Sequence, residues 1–193
     1  MSEPSDVLLR WQGKFLRILQ RGHWEFADRV STTGAVAIVA ITEPGNLILT
    51  EQFRLPMQRR VVELPAGLAG DTPERAAEEL AEAARRELLE ETGYECGQMK
   101  WLAAGPPSAG LATETVAFFH ATQLRRVHTG GGDAHEAIEV HEVSLRLLHQ
   151  WLEKKLVDGV MVDPKIYAGL YLVGVSRYPV GRDKSIGDEL PSV

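Results

Sequence analysis

The sequence predicts an α/β (α+β) fold, on three observations. Short runs rich in β-branched residues recur along the chain and read as strands. A long amphipathic helix interrupts them between residues 73 and 92, and two shorter helical patterns follow at 144–156 and 165–173. The apolar fraction, 44% of 193 residues, suffices for one core of ordinary size.

Taken in order, residues 1–33 mix Trp11, Phe15 and Trp24 with charged side chains. Residues 15–19 and 24–26 alternate like a short hairpin through Arg21-Gly22, so a small N-terminal β segment is expected, separate from the main domain at 34–176. Residues 35–42 form a continuous apolar run and read as a buried strand. Glu43-Pro44-Gly45-Asn46 is a turn, 47–53 returns as the next strand, and 61–64 runs into Pro65-Ala66-Gly67. Residues 99–104 and 115–122 are strands, joined by a loop at 106–114 with little regular propensity. Gly130-Gly131-Gly132 reads as the most flexible point, leading into the strictly alternating strand 138–143. Ser144 is the expected cap of the next helix, and Asp163-Pro164 starts the last one. The tail at 177–193 carries Pro, Gly and charges and reads as frayed.

The first helix carries the chemistry. Pro73 is a favoured first position, Asp71 or Thr72 the expected cap, and Gly93 the expected stop. At ~100° per residue, Ala77, Ala81, Ala84 and Leu88 form one buried stripe. Glu91 falls about 40° from it and Glu87 about 80°, the two being neighbours at i,i+4 with Glu90 beside them. Carboxylates pressed against a core need a positive partner. Arg86 projects roughly opposite the stripe and is expected to reach Glu82 and Glu90. A divalent cation with oxygen ligands, Mg²⁺ or Mn²⁺, is the economical way to keep Glu87 and Glu91 ionised.

Bulk properties narrow the function. A formal charge of −6 argues against a general nucleic-acid binder, although an acidic protein binds a polyanion when metal ions supply the positive charge. A single cysteine, Cys96, excludes an internal disulfide. The opening MSEPSDVLLRW lacks a basic start followed by an apolar run, and no run approaches a membrane span. A cytoplasmic protein with no membrane partner is therefore the expectation.

Arg86-Glu87-Leu88-Leu89-Glu90-Glu91-Thr92-Gly93-Tyr94 resembles the second half of the Nudix box, G-x5-E-x7-R-E-U-x-E-E-x-G-U with U apolar. Glu78 matches the isolated Glu of that pattern. The first Gly is displaced: its counterpart is Gly67, with five extra residues between it and the Arg-Glu pair, as an added helical turn or a longer loop. The resemblance implies a Nudix α/β/α sandwich with a mixed central sheet. It implies two or three Mg²⁺ or Mn²⁺ ions held by Glu87, Glu90, Glu91 and the Ala66 carbonyl, with Arg86 as the residue that holds the carboxylates in place.

Other segments are similar to the ADP-ribose pyrophosphatase branch of the family. There the N-terminal segment builds a homodimer and stacks adenine between aromatic rings, which points to Trp24, beside Glu25, and then to Phe15. Glu51-Gln52-Phe53-Arg54 resembles a segment whose Arg faces substrate, and Glu63 matches a Glu of the E-L-P-A-G segment. The 106–114 loop, with Gly110, Leu111 and Glu114, resembles the loop bordering the substrate, except that Ala109 replaces the usual Pro. The general base sits in the family at the loop 133–139. Glu136 is its best match, Asp133 and Glu139 are rivals, and Glu136 would also approach the metal. The resemblance thus implies metal-dependent cleavage of a nucleoside diphosphate sugar, ADP-ribose above all, giving AMP and ribose 5-phosphate. GDP-mannose or ADP-glucose are the near alternatives. A nucleoside triphosphate hydrolase or a non-catalytic ligand sensor are the distant ones.

Overall fold

The computed structural model describes residues 6–70, 72–132 and 137–174. Its spine is β4 (Gly34–Ile41), whose apolar run is buried on both faces, as a central strand of a covered sheet must be. Val36, Ile38 and Ala40 point to one side, with Ile48, Ala84 and Leu88. Ala37 and Val39 point to the other, with Leu49, Leu64, Leu152 and Ile166. The sheet is mixed. β4 runs parallel to β9 (Val116–Arg126) and antiparallel to β5 (Asn46–Arg54) and β7 (Ala66–Ala69). β8 (Tyr94–Gly105) closes one edge against β9. On the other side β6 (Arg59–Glu63) follows β5, and β11 (Met161–Val162) pairs with β6 in parallel. β10 (Glu139–Ser144) pairs with the first half of β5.

Helix α1 (Leu80–Thr92) covers one face; α2 (Leu148–Val157) and α3 (Lys165–Leu172) cover the other, giving the α/β/α sandwich. A separate antiparallel sheet, β1 (Val7–Gln12), β2 (Leu16–Arg21) and β3 (Trp24–Arg29), precedes the domain. Its first strand was not foreseen, because Val7, Leu9 and Trp11 lie exposed rather than in a core. Among the described residues no helix is long and apolar enough to cross a membrane.

Two helix starts differ from expectation. Pro73 opens only a 3-10 turn (Pro73–Arg75), and α1 begins at Leu80 after an extended Glu79, ψ 145°. Ala77 is therefore exposed, outside the buried stripe. The five extra residues form a longer loop, not an added helical turn. Asp71 lies outside the described residues. Ser144 belongs to β10 and caps nothing; α2 starts four residues later. The end of α1 at Gly93 is as expected, its amide donating to the Leu89 carbonyl. Asp163 does start α3, its Oδ1 accepting from the Lys165 amide at 2.8 Å.

Besides Leu148 and Leu152 in the core, one buried carboxylate ties α2 to the sheet. Glu51, 3% exposed, accepts from Arg60 Nε and from Lys155 Nζ, each at 2.5 Å, and His141 Nε2 lies 2.9 Å away. Burial pushes its carboxyl up; the hydrogen bonds from Arg60, Lys155 and His141 outweigh it and hold it at about 2, against an ordinary 4.5. Its contribution to stability is therefore full above pH 4.5 and lost as pH falls toward 2. Glu51→Gln is expected to cost about 2–3 kcal/mol at neutral pH, below the ~3–5 kcal/mol of fully enclosed pairs, because Arg60 and Lys155 keep contact with water. Urea denaturation across pH checks this: the deficit shrinks below pH 4.5 and vanishes near 2.

Candidate active site

The site grows from the antiparallel pairing of β7 with β4, which lays Ala66 opposite Ala37 and Gly67 opposite Val36. Helix α1 crosses this pair. Glu91, 3% exposed, accepts a hydrogen bond at its Oε2 from the Ala66 amide, 3.0 Å. One turn earlier, Glu87 lies flat against Gly67. A Cβ added there would stand 2.0 Å from the Glu87 carboxyl carbon, so any side chain at this position would displace that carboxylate. Gly67 is thus the structural counterpart of the displaced box glycine, despite the longer loop.

Arg86 locks the arrangement. It donates to both oxygens of Glu78 (2.9 and 3.0 Å), to the Leu68 carbonyl (3.0 Å), to Glu87 (2.7 Å) and to Glu90 (3.1 Å). Its expected partner Glu82 is replaced by Glu78, because the late helix start leaves Glu78 in the loop, free to fold back over the guanidinium. Hydrogen bonding from Arg86 holds the Glu78 carboxyl below its usual range, and Glu78, then Glu87, push the Arg86 pKa further up. Glu90 is 47% exposed, pairs with Arg86 and with Arg75, and does not line the cavity described next.

A cavity of about 450 Å³ opens beside these carboxylates, lined among others by Glu87, Glu91, Gly67, Glu63, Arg54 and Glu114. Arg54 Nε donates to Glu63 Oε2 at 2.6 Å. Arg29 lines the cavity as well, bonded to Glu114. A second cavity, about 430 Å³, lies between Trp24, Phe26 and the loop residues Ala109, Gly110 and Thr113. Two smaller clefts share Arg29 and Glu114 with the first cavity, and one of them shares Thr113 with the second. The strand β3 holds the loop along this line: the Ala27 amide donates to the Leu111 carbonyl (2.8 Å), the Thr113 amide to the Ala27 carbonyl (3.1 Å), and the Thr113 hydroxyl to Asp28.

Several expected residues stand elsewhere. Phe15 is 69% exposed beneath the Lys14 ammonium and lines neither cavity; Phe26, two positions after Trp24 on the same strand face, takes its place. Glu25 is exposed and turned away from Trp24 by the strand alternation. Leu111 meets the site through its backbone alone, its side chain being exposed. Glu136 and Asp133 lie outside the described residues. Glu139 is opposite Glu51 in the β10–β5 pairing and bonded to Arg60, on the α2 face of the sheet and away from α1. The glycines before that segment are anchored: the Gly131 amide donates to the Glu91 carbonyl (2.8 Å), and a Cβ on Gly130 would meet that carbonyl at 2.5 Å.

Sequence reasoning missed Arg29, Phe26 and Lys165. Alternation from Trp24 pointed to Phe26; nothing local marked Arg29 or Lys165, which reach the cavity through tertiary pairing alone.

The carboxylates of Glu87 and Glu91, with Ala66 beside them, offer hard oxygen donors on one helix face, packed where a side chain at 67 would displace them. Such a donor set fits a hard divalent cation. Glu51, Glu139 and His141 also bring ligand atoms within 4.8 Å of one another, but Arg60 and Lys155 already occupy the Glu51 oxygens. That cluster is a salt-bridge network.

Comparison with known proteins agrees with this geometry. The NUDIX domain model matches residues 31–160. The chain is 35% identical over 146 residues to the methanol dehydrogenase activator of Bacillus methanolicus, covering 75% of this chain and 76% of that protein. It is 39% identical over 130 residues to the ADP-ribose pyrophosphatase of Bacillus subtilis (strain 168), covering 66% of each. It is 36% identical over 119 residues to the GDP-mannose pyrophosphatase of Pectobacterium atrosepticum, covering 57% and 58%. This chain thus spans three quarters of the activator and less of the two pyrophosphatases. A crystal structure of an ADP compounds hydrolase superposes with a TM-score of 0.64 at 20% identity, over 90% of this chain and 95% of that one, a likeness of fold.

Gly67→Ala is expected to push the Glu87 carboxylate aside and weaken Mn²⁺ binding by about 10–100-fold, with the thermal transition little changed. Titration of Mn²⁺ by electron paramagnetic resonance reads the affinity directly.

Proposed function

This chain belongs to the Nudix family of pyrophosphate hydrolases, and from that premise we propose that it cleaves the pyrophosphate bond of a nucleoside diphosphate sugar, ADP-ribose first, into AMP and ribose 5-phosphate. The observation that carries the reading is the carboxylate-lined cavity at Glu87 and Glu91, with an aromatic cavity at Trp24 linked to it by the shared lining residues Thr113, Arg29 and Glu114 of an intervening cleft. One end suits a nucleobase, the other a metal-bound diphosphate, and the spacing between is filled by polar groups.

In this reading Trp24, 55% exposed with its ring edge against Gly110, stacks the base, a contact worth roughly 1–3 kcal/mol. Phe26 forms the floor. Arg29 and Glu114 meet the ribose and first phosphate, and Arg54 and Glu63 meet the other half. Glu87, Glu91 and the Ala66 carbonyl hold Mg²⁺ or Mn²⁺, with Glu90 contributing through Arg86. The bound metal supplies charge neutralisation of the diphosphate and polarises phosphorus toward water. Arg86 touches no substrate; it keeps Glu87 and Glu90 oriented while Glu78 satisfies the rest of its guanidinium. Glu136 is the base that takes the proton from water: its segment leaves from Gly132, whose amide donates to the Glu90 carbonyl at 3.2 Å. The N-terminal segment (1–33) serves as a dimerisation element of a homodimer, a role supported by the exposed Val7, Leu9 and Trp11 of β1.

The test is Mg²⁺-dependent release of nucleoside monophosphate from ADP-ribose, ADP-glucose, GDP-mannose and deoxynucleoside triphosphates. ADP-ribose is expected to show the highest kcat/KM. A preference for GDP-mannose would move the protein to the neighbouring pyrophosphatase activity, and triphosphate cleavage alone would refute the reading. Glu91→Gln is expected to abolish turnover with the fold intact; Glu136→Gln is expected to lower kcat by about 10²–10⁴-fold.

A further inference from the structure

The catalytic cavity has a wall that the family motif does not include. Lys165, the first residue of α3, lines it together with Arg54, Glu63, Glu87 and Glu91. Helix α3 packs on the sheet face opposite α1. Lys165 therefore enters from the side away from the carboxylates.

The topology explains how it arrives there. β11 pairs in parallel with the end of β6, Met161 beside Val61 and Val162 beside Val62. The Asp163 amide then donates to the Val62 carbonyl at 2.9 Å. The first turn of α3 thus starts next to Glu63, the residue that follows Val62. Asp163 fixes Lys165 twice: Oδ1 accepts from its backbone amide at 2.8 Å, and Oδ2 pairs with its ammonium. A long side chain held in one place loses less freedom when it binds a ligand.

Trp24 and Gly110 line one cavity, Arg29 and Glu114 line both the catalytic cavity and a cleft that shares Thr113 with the first, and Arg54, Glu63 and Lys165 line the catalytic cavity alone. On the nucleotide-sugar reading, the nucleoside monophosphate half takes the stretch from Trp24 to Arg29. The other half of the substrate must then lie against Arg54, Glu63 and Lys165. We infer that Lys165 is a binding residue for the phosphate of the sugar-phosphate half, meeting it from the side opposite Glu87 and Glu91. A lysine ammonium suits this place, as a compact charge that donates to phosphate oxygens from a stem able to cross the end of the sheet. The inference rests on the nucleotide-sugar reading above for the identity of the two halves.

Binding of the two products separates it from that reading. Isothermal titration calorimetry with ribose 5-phosphate and with AMP, each in the presence of Mg²⁺, is applied to the wild type, Lys165→Met and Lys165→Arg. Methionine is a good helix former, and an unchanged thermal transition confirms that the variant folds. Ribose 5-phosphate is expected to bind Lys165→Met about tenfold or more weakly, AMP to change by less than about twofold, and Lys165→Arg to recover most of the loss. Equal weakening of both products, weakening of AMP alone, no change in ribose 5-phosphate binding, or no binding of ribose 5-phosphate by the wild type would each overturn the inference. If the wild type binds both products with the predicted split but hydrolyses no nucleotide sugar, the proposed activity fails and the assignment of Lys165 stands.

Discussion

Arg86 is the group on which the site depends. Its guanidinium joins three pieces of chain: the loop carrying Glu78, the strand end at Leu68 and the helix bearing Glu87 and Glu90. A buried cation is expensive unless every donor is met, and here the donors are met by carboxylates and one carbonyl. Glu87, held by Arg86, and Glu91, held by the Ala66 amide, both line the cavity. Removing the guanidinium would free the carboxylates to repel one another, so the electrostatics of the site and the packing of α1 are a single interaction.

Around that clamp, the second constraint is steric. The Glu87 side chain occupies the volume that a Cβ at position 67 would need, and the Glu91 carboxylate reaches the amide of Ala66. Strand β7 is short, yet it must pair with β4 to bring both residues under the helix. The N-terminal sheet adds the third piece. Consecutive residues Ala27, Asp28 and Arg29 each hold the 108–114 loop, by backbone, through Thr113 and through Glu114. The cleft between the Trp24 cavity and the carboxylate cavity is therefore bordered by the seat of β3 on this loop.

Local patterns made much of this legible. The apolar run of β4, the strand β10 and the pair Glu87 and Glu91 of α1 stand where the sequence pattern put them, whereas Glu90 points to solvent. The start of α1 was misplaced by real signals. Pro73 and its neighbours do initiate a turn, but it stays a 3-10 turn, the helix begins only at Leu80, and Glu78 in the intervening loop pairs with Arg86. Strand β7 read as a turn, since Pro65-Ala66-Gly67 has the composition of one and only pairing with β4 makes it extended. β1 escaped notice because its apolar residues face outward.

The site residues divide in the same way. Glu87, Glu91, Arg54, Glu63, Gly110 and Glu114 were visible as motif positions; all but Gly110 line one cavity, and Gly110 lines the one beside Trp24. Phe15 was marked by motif likeness, while strand alternation from Trp24 leads to Phe26, which lines the cavity. Arg29 and Lys165 carry no local signature; their places follow from how β3 meets the loop and how β11 meets β6. The central claim is that Glu87 and Glu91, beside Ala66, form the divalent-cation site. A crystal soaked in Mn²⁺ and measured at a wavelength where manganese scatters anomalously tests it most directly. The account predicts anomalous density between the Glu87 and Glu91 carboxylates and the Ala66 carbonyl. Density at Glu51, Glu139 and His141 instead, or none beside α1, would contradict it.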